Sequence, residues 1–391
     1  MKKNFSYILA IFFSSFLFAA ETFTFTPIIN EVYTAREVAL AGNYCADYST
    51  FFSILANPAN SALTGDKKLF PYISADMTGS LSKAYDLIRY STSDDTETLA
   101  SFLSTMEDIP ISINMSGPIC FGSVKNNFAI SFFNFAYTSG TLSVDDDTTV
   151  YAGEQYLLNM TYAYPIKFGK CALAVGLGLF GFVDVQGIYT GSLVDALTYL
   201  KDKSYTFFPL YTTLGFGLNA GLSFVVTDIF TLGIAWNDFF GGALTQKFDS
   251  LTAFRSFQFT TYTPLGTMPL GDNLSVGLGL NLPLEECTKH FLTQTHLYVQ
   301  YDNVETFFQL KSLGISFYPA LLYEMLKFCF EVEMFHTITL RYGMCNTYMS
   351  AGLGLKAGMV HLDASLYSTK IGFTKNDSGN IGVSLSFGVY Q

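Results

Sequence analysis

Histidine and cysteine, the side chains that most often bind metal ions or act as nucleophiles, are few and widely separated in this chain. None of them forms a Cys-x-x-Cys pair or a His-Glu-x-x-His motif. They are His290, His296, His336, His361, Cys45, Cys120, Cys171, Cys287, Cys329 and Cys345. A structural zinc site needs four such ligands, usually in closely spaced pairs. The sequence therefore predicts no metal site and no cofactor, and it indicates no particular disulfide pairing.

Catalytic motifs are equally scarce. The Gly-x-Ser-x-Gly turn of hydrolases does not occur. A hydrolase could still bring a serine to His336 or His361 from separate strands, but lone histidines on strands more often only pack. Gly176 to Gly181 spells the dinucleotide motif G-x-G-x-x-G, which requires a following helix. Here an extended pattern continues through Val183, so we predict that the chain is not an enzyme.

The strongest pattern is an alternation of large aliphatic residues with small or polar ones. Between Asn273 and Leu284, every second residue is aliphatic. Because successive side chains of a β-strand point to opposite faces, such a strand has one apolar face. Its length is about what a tilted strand needs to cross a bilayer, roughly 9–11 residues. The same alternation returns between Ile381 and Val389, and its repetition is typical of outer-membrane β-barrels.

The N-terminus and the composition agree with export to a membrane. Residues Met1 to Ala20 have the basic start, short apolar stretch and small-residue end of a signal peptide. Later apolar stretches are too short and too interrupted for transmembrane helices. The net charge is −11 and no basic patch occurs, which disfavours a nucleic-acid partner. We predict an antiparallel transmembrane β-barrel of about 14 strands over residues 68–391, in the outer membrane of a diderm bacterium.

The alternation also predicts which side chains face the lumen. In the strand that includes Val360 and Leu362, these aliphatic residues face lipid. His361, Asp363 and Ser365 then point inward and are candidate lumen residues. In the strand described above, Leu278 is predicted to face lipid and Gly277 the interior.

Residues 21–67 lack sustained alternation, so they do not fit the barrel wall. The apolar residues Phe51, Phe52, Ile54 and Leu55 nevertheless need burial. The tripeptide Asn57-Pro58-Ala59 follows them. Proline restricts the residue before it to extended or turn geometry, and an asparagine side chain can bond the backbone just beyond it. This pattern predicts a compact segment that turns into the first strand.

The order of short motifs in this region resembles the FadL family of outer-membrane transporters for hydrophobic compounds, which has PorV-like and spirochaetal relatives. Ala41-Gly42 corresponds to the family's glycine-rich run, Ala46-Asp47 to its acidic stretch, and Asn57-Pro58-Ala59 to its last element. The resemblance covers about 30 residues of the 391. It implies that residues 21–67 form a hatch inside the lumen of the barrel.

The resemblance also implies a function. It points to passive uptake of long-chain fatty acids or other hydrophobic compounds by a monomer that contacts outer-membrane lipids and is inserted by the barrel-assembly machinery. Two alternatives stay open: a general diffusion porin, and a structural or secretion-partner barrel like the PorV-like relatives. The substrate-binding residues are not predicted.

Overall fold

The computed structural model describes residues 34–42, 45–80, 83, 85–87, 89, 103, 108–144, 147–196, 208–256, 263–268, 273–286, 288, 291–306, 325–345, 348–369 and 380–390. The predicted signal peptide, residues 1–20, and the first part of the predicted hatch, residues 21–33, lie outside this range. Within the described residues, no helix is long and apolar enough to cross a membrane.

The described residues form sixteen β-strands and a few short helices. The strands are β1 (Lys67–Gly79), β2 (Ile109–Ser116), β3 (Phe121–Lys125), β4 (Phe128–Leu142), β5 (Thr148–Phe168), β6 (Cys171–Gly191), β7 (Leu210–Val226), β8 (Phe230–Phe248), β9 (Thr263–Met268), β10 (Asn273–Leu282), β11 (Leu292–Tyr301), β12 (Leu326–Met334), β13 (Ile338–Cys345), β14 (Tyr348–Ala357), β15 (Val360–Thr369) and β16 (Asn380–Tyr390). The helices are α1 (Ala35–Ala39), α2 (Ser53–Ala56), a 3-10 helix (Pro58–Ala62) and α3 (Leu251–Arg255).

All of these strands belong to one antiparallel sheet that closes on itself. The first strand, β1, pairs with the last, β16, and β8 pairs with β10. Two wall positions are split: β2 and β3 both lie between β1 and β4, and β9 and β10 pair with successive parts of β8. The described strands therefore occupy fourteen positions around the ring, which confirms the predicted β-barrel and its strand number.

The break between β2 and β3 is held by one side chain from the neighbouring strand. Asn134 on β4 donates from Nδ2 to the carbonyl of Gly117 (3.2 Å) and accepts at Oδ1 from the amide of Ile119 (3.0 Å). Gly117 has a φ of +97°, which favours glycine because it has no Cβ. Backbone groups that lose ladder partners at the break are thus bonded by a side chain.

The predicted alternation of faces is confirmed. Leu278 is 43% exposed on the outer surface, whereas a Cβ on Gly277 would lie 3.1 Å from the amide nitrogen of Ala46 inside the ring. Leu177 and Leu362 likewise face outward. The outer face is therefore apolar and suited to lipid, and the chain is an outer-membrane β-barrel.

Tight turns join the strands at one end of the barrel, which we call the short-turn end. The turn between β3 and β4 contains only Asn126 and Asn127, with φ of +52° and +66°. Two successive residues with positive φ match the twist of a β-hairpin. In barrels of this class, the short turns face the periplasm.

The outward face yields a first prediction. Leu278 lies in the middle of β10, so an arginine there would place a guanidinium in hydrocarbon at a cost of roughly 2–4 kcal/mol. We expect Leu278→Arg to lower the free energy of unfolding by that amount in denaturant titrations of the protein in phospholipid vesicles. Leu278→Ala is the matched control because it removes apolar surface without adding charge. Equal unfolding midpoints for the two variants would show that this face does not contact lipid.

Candidate functional site

Residues 34–42 and 45–66, here called the N-terminal segment, precede the first wall strand and begin with a capped helix. Thr34 Oγ1 accepts a hydrogen bond from the amide of Glu37 at 3.2 Å. The Glu37 carboxylate in turn accepts from the Thr34 amide at 2.8 Å. This reciprocal pair is a capping box, which satisfies two amides that the first turn of a helix leaves unpaired. The segment therefore starts with a defined turn, α1, whose residues are all buried.

Asn57 is the N-cap of the 3-10 helix that begins at Pro58 and Ala59, where the segment lies against the inner face of β6 and β7. Asn57 is fully buried, and its Oδ1 accepts from the amide of Ala59 at 3.1 Å. Its Nδ2 donates to the carbonyl of Cys45 and to Ser223 Oγ on β7, both at 3.0 Å. Asn57 thus fixes the local turn and also ties two parts of the segment to the wall.

Ser223 joins this asparagine to a second one. The serine hydroxyl donates to Asn60 Oδ1 at 2.7 Å, and the Asn60 Nδ2 donates to the carbonyls of Asp47 (2.6 Å) and Ser53 (3.2 Å). Asn60 is completely buried. The two asparagines, three positions apart, hold most of the segment's inner loop together.

The wall beneath this turn consists of glycine because the backbones approach too closely for a side chain. A Cβ on Gly221 of β7 would lie 2.1 Å from Asn57 Oδ1, and one on Gly176 of β6 would lie 2.4 Å from the Ala59 amide nitrogen. The first glycine of the apparent dinucleotide motif therefore makes room for the N-terminal segment.

The N-terminal segment contacts strands all around the ring. Cys45 donates its amide to Gln300 on β11 (2.9 Å), and the carbonyl of Ala39 accepts from Ser350 on β14 (2.8 Å). Phe51 lies against Gly122 on β3. Since these contacts are on inward faces of strands on different sides, the segment lies within the ring, near its short-turn end.

A chain of alternating charges joins the segment to the wall. Arg36 donates from Nη1 to Asp47 (2.7 Å) and, through Nε and Nη2, to both carboxylate oxygens of Glu331 on β12 (2.8 Å each). Glu331 also accepts from Arg341 on β13 (2.5 Å), which in turn donates to Asp363 on β15 (2.5 Å). The bidentate Arg36–Glu331 pair is the central ionic contact between the segment and the wall.

Burial and charge compete at Arg36 and Asp47. Burial alone would raise the pKa of Asp47, but the adjacent Arg36 holds it below its ordinary value. Burial opposes the charge on Arg36, yet Asp47 and Glu331 together raise its pKa well above the ordinary value. Both groups therefore stay ionised at physiological pH, and the contact keeps its full charge.

Glu37 lies in a different environment. It is 2% exposed, and its Oε1 has no hydrogen-bond partner among the described residues. Burial raises the pKa of Glu37 to about 7, despite the hydrogen bonds from Thr34 and the nearby charge of Arg36. This carboxyl group is the member of the segment most sensitive to pH near neutrality.

The three predicted lumen residues lie on the inner side of β15. Asp363 is bonded to Arg341, and the ring of His361 lies 4.4 Å from that of Tyr390. Ser365 is buried one row farther from the short-turn end. His361 and Asp363 line a cavity of about 490 Å³, whose lining also includes Arg36 and Glu37. The structure thus brings two of the three beside the N-terminal segment, although no catalytic arrangement joins them.

An apolar cluster holds the other side of the segment. The ring of Phe52 lies 4.7 Å from that of Tyr72 on β1 and 6.1 Å from that of Phe133 on β4. Phe51 and Ile54 are also buried in this cluster. The inner face of the wall therefore buries Phe51, Phe52 and Ile54, as the sequence predicts.

Several of these residues could not be assigned a role from the sequence. Arg36 and Asp47 are ordinary charged residues until Glu331 is placed beside them, 295 positions from Arg36. Asn60 had a usable signal, because it repeats the asparagine of Asn57 at a spacing of one helical turn. Ser223 had none, since it is one of many small inward residues.

No protein-family model and no curated protein matches the chain. Several solved structures are similar to it. The toluene transporter TbuX of Ralstonia pickettii is 13% identical, with 91% of this chain and 98% of that chain covered and a TM-score of 0.47. The toluene transporter TodX of Pseudomonas putida is 10% identical, with 92% of this chain and 98% of that chain covered and a TM-score of 0.45. A FadL homologue of Pseudomonas aeruginosa is 10% identical, with 91% of this chain and 97% of that chain covered and a TM-score of 0.41. Similarities of this size carry no argument about function.

The buried carboxyl group of Glu37 yields a pH prediction. Its pKa is higher when the segment is docked than in water, so it stabilises docking while protonated. That contribution is fully present below the ordinary value of 4.5 and is lost as the pH rises through about 7. Between pH 5 and pH 7, we expect docking to weaken by on the order of 2 kcal/mol.

Hydrogen–deuterium exchange over residues 34–42, corrected for the intrinsic effect of pH, measures this change. The control is Glu37→Gln, which keeps a capping-box acceptor but cannot ionise. The variant should show the same protection at both pH values. If the native chain and Glu37→Gln respond identically to pH, another group is responsible.

Proposed function

We propose that this barrel takes up hydrophobic compounds, including long-chain fatty acids, passively across the outer membrane, with the N-terminal segment as its hatch. The observation that carries the proposal is the position of Phe51 and Phe52. Both project from a segment that lies across the lumen into an aromatic part of the inner wall. The described path through the barrel therefore meets an apolar surface next to a segment that is anchored at one end to β1 and is otherwise held by non-covalent contacts.

The character of this interior favours hydrophobic solutes over ions. A general diffusion porin needs an open, water-filled lumen, whereas the described lumen contains the N-terminal segment and a buried cluster around Phe133. Apolar burial supplies about 25 cal/mol per Å², so an aromatic wall can take a hydrophobic solute out of water. Pockets for such solutes are mostly apolar, with a few polar groups that set orientation.

The contacts of the N-terminal segment suit a part that moves. Hydrogen bonds and ion pairs fix its position, and among the described residues its covalent link to the wall is the peptide bond into Lys67 of β1. Two of its charged residues, Arg36 and Glu37, line the cavity at the short-turn end. Displacement would expose these groups to water while it opens a route from the aromatic wall toward the periplasm.

Locking the segment to the wall tests whether it must move. A Cβ on Gly277 would lie 3.2 Å from the Cβ of the native Cys45, so Gly277→Cys needs a shift of only a few tenths of an ångström to form a disulfide. We expect oxidised Gly277→Cys to lose most uptake of radiolabelled oleate into proteoliposomes and to regain it after reduction. Peptide mass spectrometry establishes the cross-link.

The matched control is Gly277→Ser, which adds a side chain of the same shape and similar size and cannot be cross-linked. Its uptake should not depend on oxidant or reductant. Full uptake by a chain with a proven Cys45 cross-link would reject movement of the segment at this point.

Deleting residues 24–60 tests whether the segment acts as a hatch or the barrel has one of the alternative functions. Barrel pairing does not depend on the segment, so heat-modifiable migration on gels should persist. We expect specific oleate uptake to fall and ion conductance in planar bilayers to rise, because the lumen loses its filling. A high conductance of the intact chain would favour a porin instead. Unchanged uptake and conductance in the folded deletion variant would reject the hatch.

A further inference from the structure

The cavity of about 490 Å³ at the short-turn end has the size of a small-molecule site. It lies between the N-terminal segment, which contributes Phe52, and the inner wall, which contributes Lys356, His361 and Tyr390. We call it the mouth cavity, because its lining reaches the β14–β15 turn, where Met359 is 52% exposed. The contacts that anchor the segment border this space but do not fill it.

Side chains of the wall and the segment form a continuous line along one side of the mouth cavity. Lys356 on β14 lies directly opposite His361 on β15, so their Cβ atoms are about 5 Å apart. The ring of His361 lies 4.4 Å from that of Tyr390 on β16. The ring of Tyr390 in turn lies 6.1 Å from that of Phe52. The line therefore runs from a charged group at the turn to the buried aromatic cluster of the inner wall.

The ammonium group at the start of this line is available to a ligand. Lys356 is exposed, and its side chain makes no hydrogen bond or ion pair within the described part of the chain. A lysine side chain has three N–H donors and no acceptor, so only an acceptor can satisfy it.

Four carboxyl groups also line the mouth cavity, and each already accepts a hydrogen bond. Glu331 and Asp363 belong to the chain of alternating charges, in which arginine side chains donate to both. Glu37 and Glu333 each accept from a threonine. The acidic groups of the lining are therefore engaged, whereas the ammonium group of Lys356 is not.

Two further cations add to the positive charge at the mouth. Lys67 and Lys68, at the start of β1, both line the mouth cavity. The Nζ of Lys67 donates to the carbonyl of Ser49, which leaves two of its N–H groups for other acceptors. Anions that approach from the short-turn end therefore meet lysine on β1 as well as on β14.

A molecule that suits both ends of the line has an acidic head and an apolar chain. A carboxylate has two oxygens that accept charge-assisted hydrogen bonds from an ammonium group. An apolar chain attached to it can lie against Tyr390 and Phe52, where it is partly removed from water. A small inorganic anion would satisfy Lys356 but would leave the aromatic part of the line uncovered.

We propose that the mouth cavity is an exit site for hydrophobic carboxylic acids, with Lys356 bound to the carboxylate and the chain directed along Tyr390 toward Phe52. The proposal rests on the proposed function and adds to it a site on the periplasmic side of the N-terminal segment. An acid held in this way has its head toward the periplasm and its chain toward the aromatic wall, which is the orientation of a solute that leaves head first.

Photolabelling of the full chain in phosphatidylcholine liposomes tests the site. The probes are dodecanoate with a diazirine near its carboxylate and the corresponding alcohol, and mass spectrometry locates the labelled residues. At equal concentration, the acid should label residues 356–361 about fivefold more than the alcohol, as an exposed ion pair allows. Lys356→Gln should remove most of this difference, and Lys356→Arg, which keeps the charge, should retain it.

Lys170→Gln is the matched control. Lys170 is an exposed lysine in the β5–β6 turn at the same end of the barrel, but it does not line the mouth cavity. The control variant should keep the acid-to-alcohol ratio of the native chain. If Lys356→Gln does not fold, competition on the native chain replaces it, and unlabelled dodecanoate should suppress the labelling by the acid probe much more than dodecan-1-ol does.

The outcomes separate this site from the proposed function. Equal labelling by the two probes would mean that Lys356 stays hydrated, and equal effects of Lys356→Gln and Lys170→Gln would mean a diffuse attraction by the whole rim. Either result, in a native chain that takes up oleate, would overturn the exit site and leave hydrophobic uptake standing. A folded native chain that neither probe labels and that takes up no oleate would reject the proposed function itself.

Discussion

The closure of the backbone hydrogen-bond ladder is the constraint on which the rest of this structure depends. In hydrocarbon, an unpaired amide or carbonyl has no water to bond, so a sheet must close on itself. Here β1 pairs with β16 and β8 with β10, and Asn134 covers the break between β2 and β3. A closed ring of fourteen positions has a fixed interior, and everything within it must fit the space that the wall leaves.

The wall provides that space by having glycine, which has no side chain, at the positions of closest approach. Gly176 and Gly221 lie where the backbone of the N-terminal segment touches the strands, and Gly215 lies under the ring of Phe182. The same residue type therefore serves two purposes, close approach of a second backbone and a seat for an aromatic ring. Because the segment buries polar groups as well as Phe51 and Phe52, its fit also requires partners such as Ser223 for each asparagine. Shape and hydrogen bonding together determine one docked position.

The barrel and its faces could be predicted because they depend on a local pattern with a period of two residues. As predicted, Leu278 and Leu362 lie on the outer face and Gly277 lies on the inner face. The strand predicted to reach Leu284 ends at Leu282, since Pro283 lacks the amide that a ladder needs. By contrast, the partners of Arg36 are set by closure of the whole ring. No local spacing relates Arg36 to Glu331, which lie 295 positions apart in the chain.

The arrangement of charges explains how a buried ionic contact can still permit movement. Removing one member of a buried pair is costly because the other is left without compensation. In this chain, Arg36 and Asp47 belong to the segment, whereas Glu331, Arg341 and Asp363 belong to the wall. If the segment moves, Arg36 retains Asp47, and Glu331 retains Arg341. Neither side leaves an isolated charge, so undocking exchanges the bidentate Arg36–Glu331 contact for water without stranding either ion. A hydrophobic contact alone would hold the segment without this geometric specificity, and a single unshared ion pair would make its release much more costly.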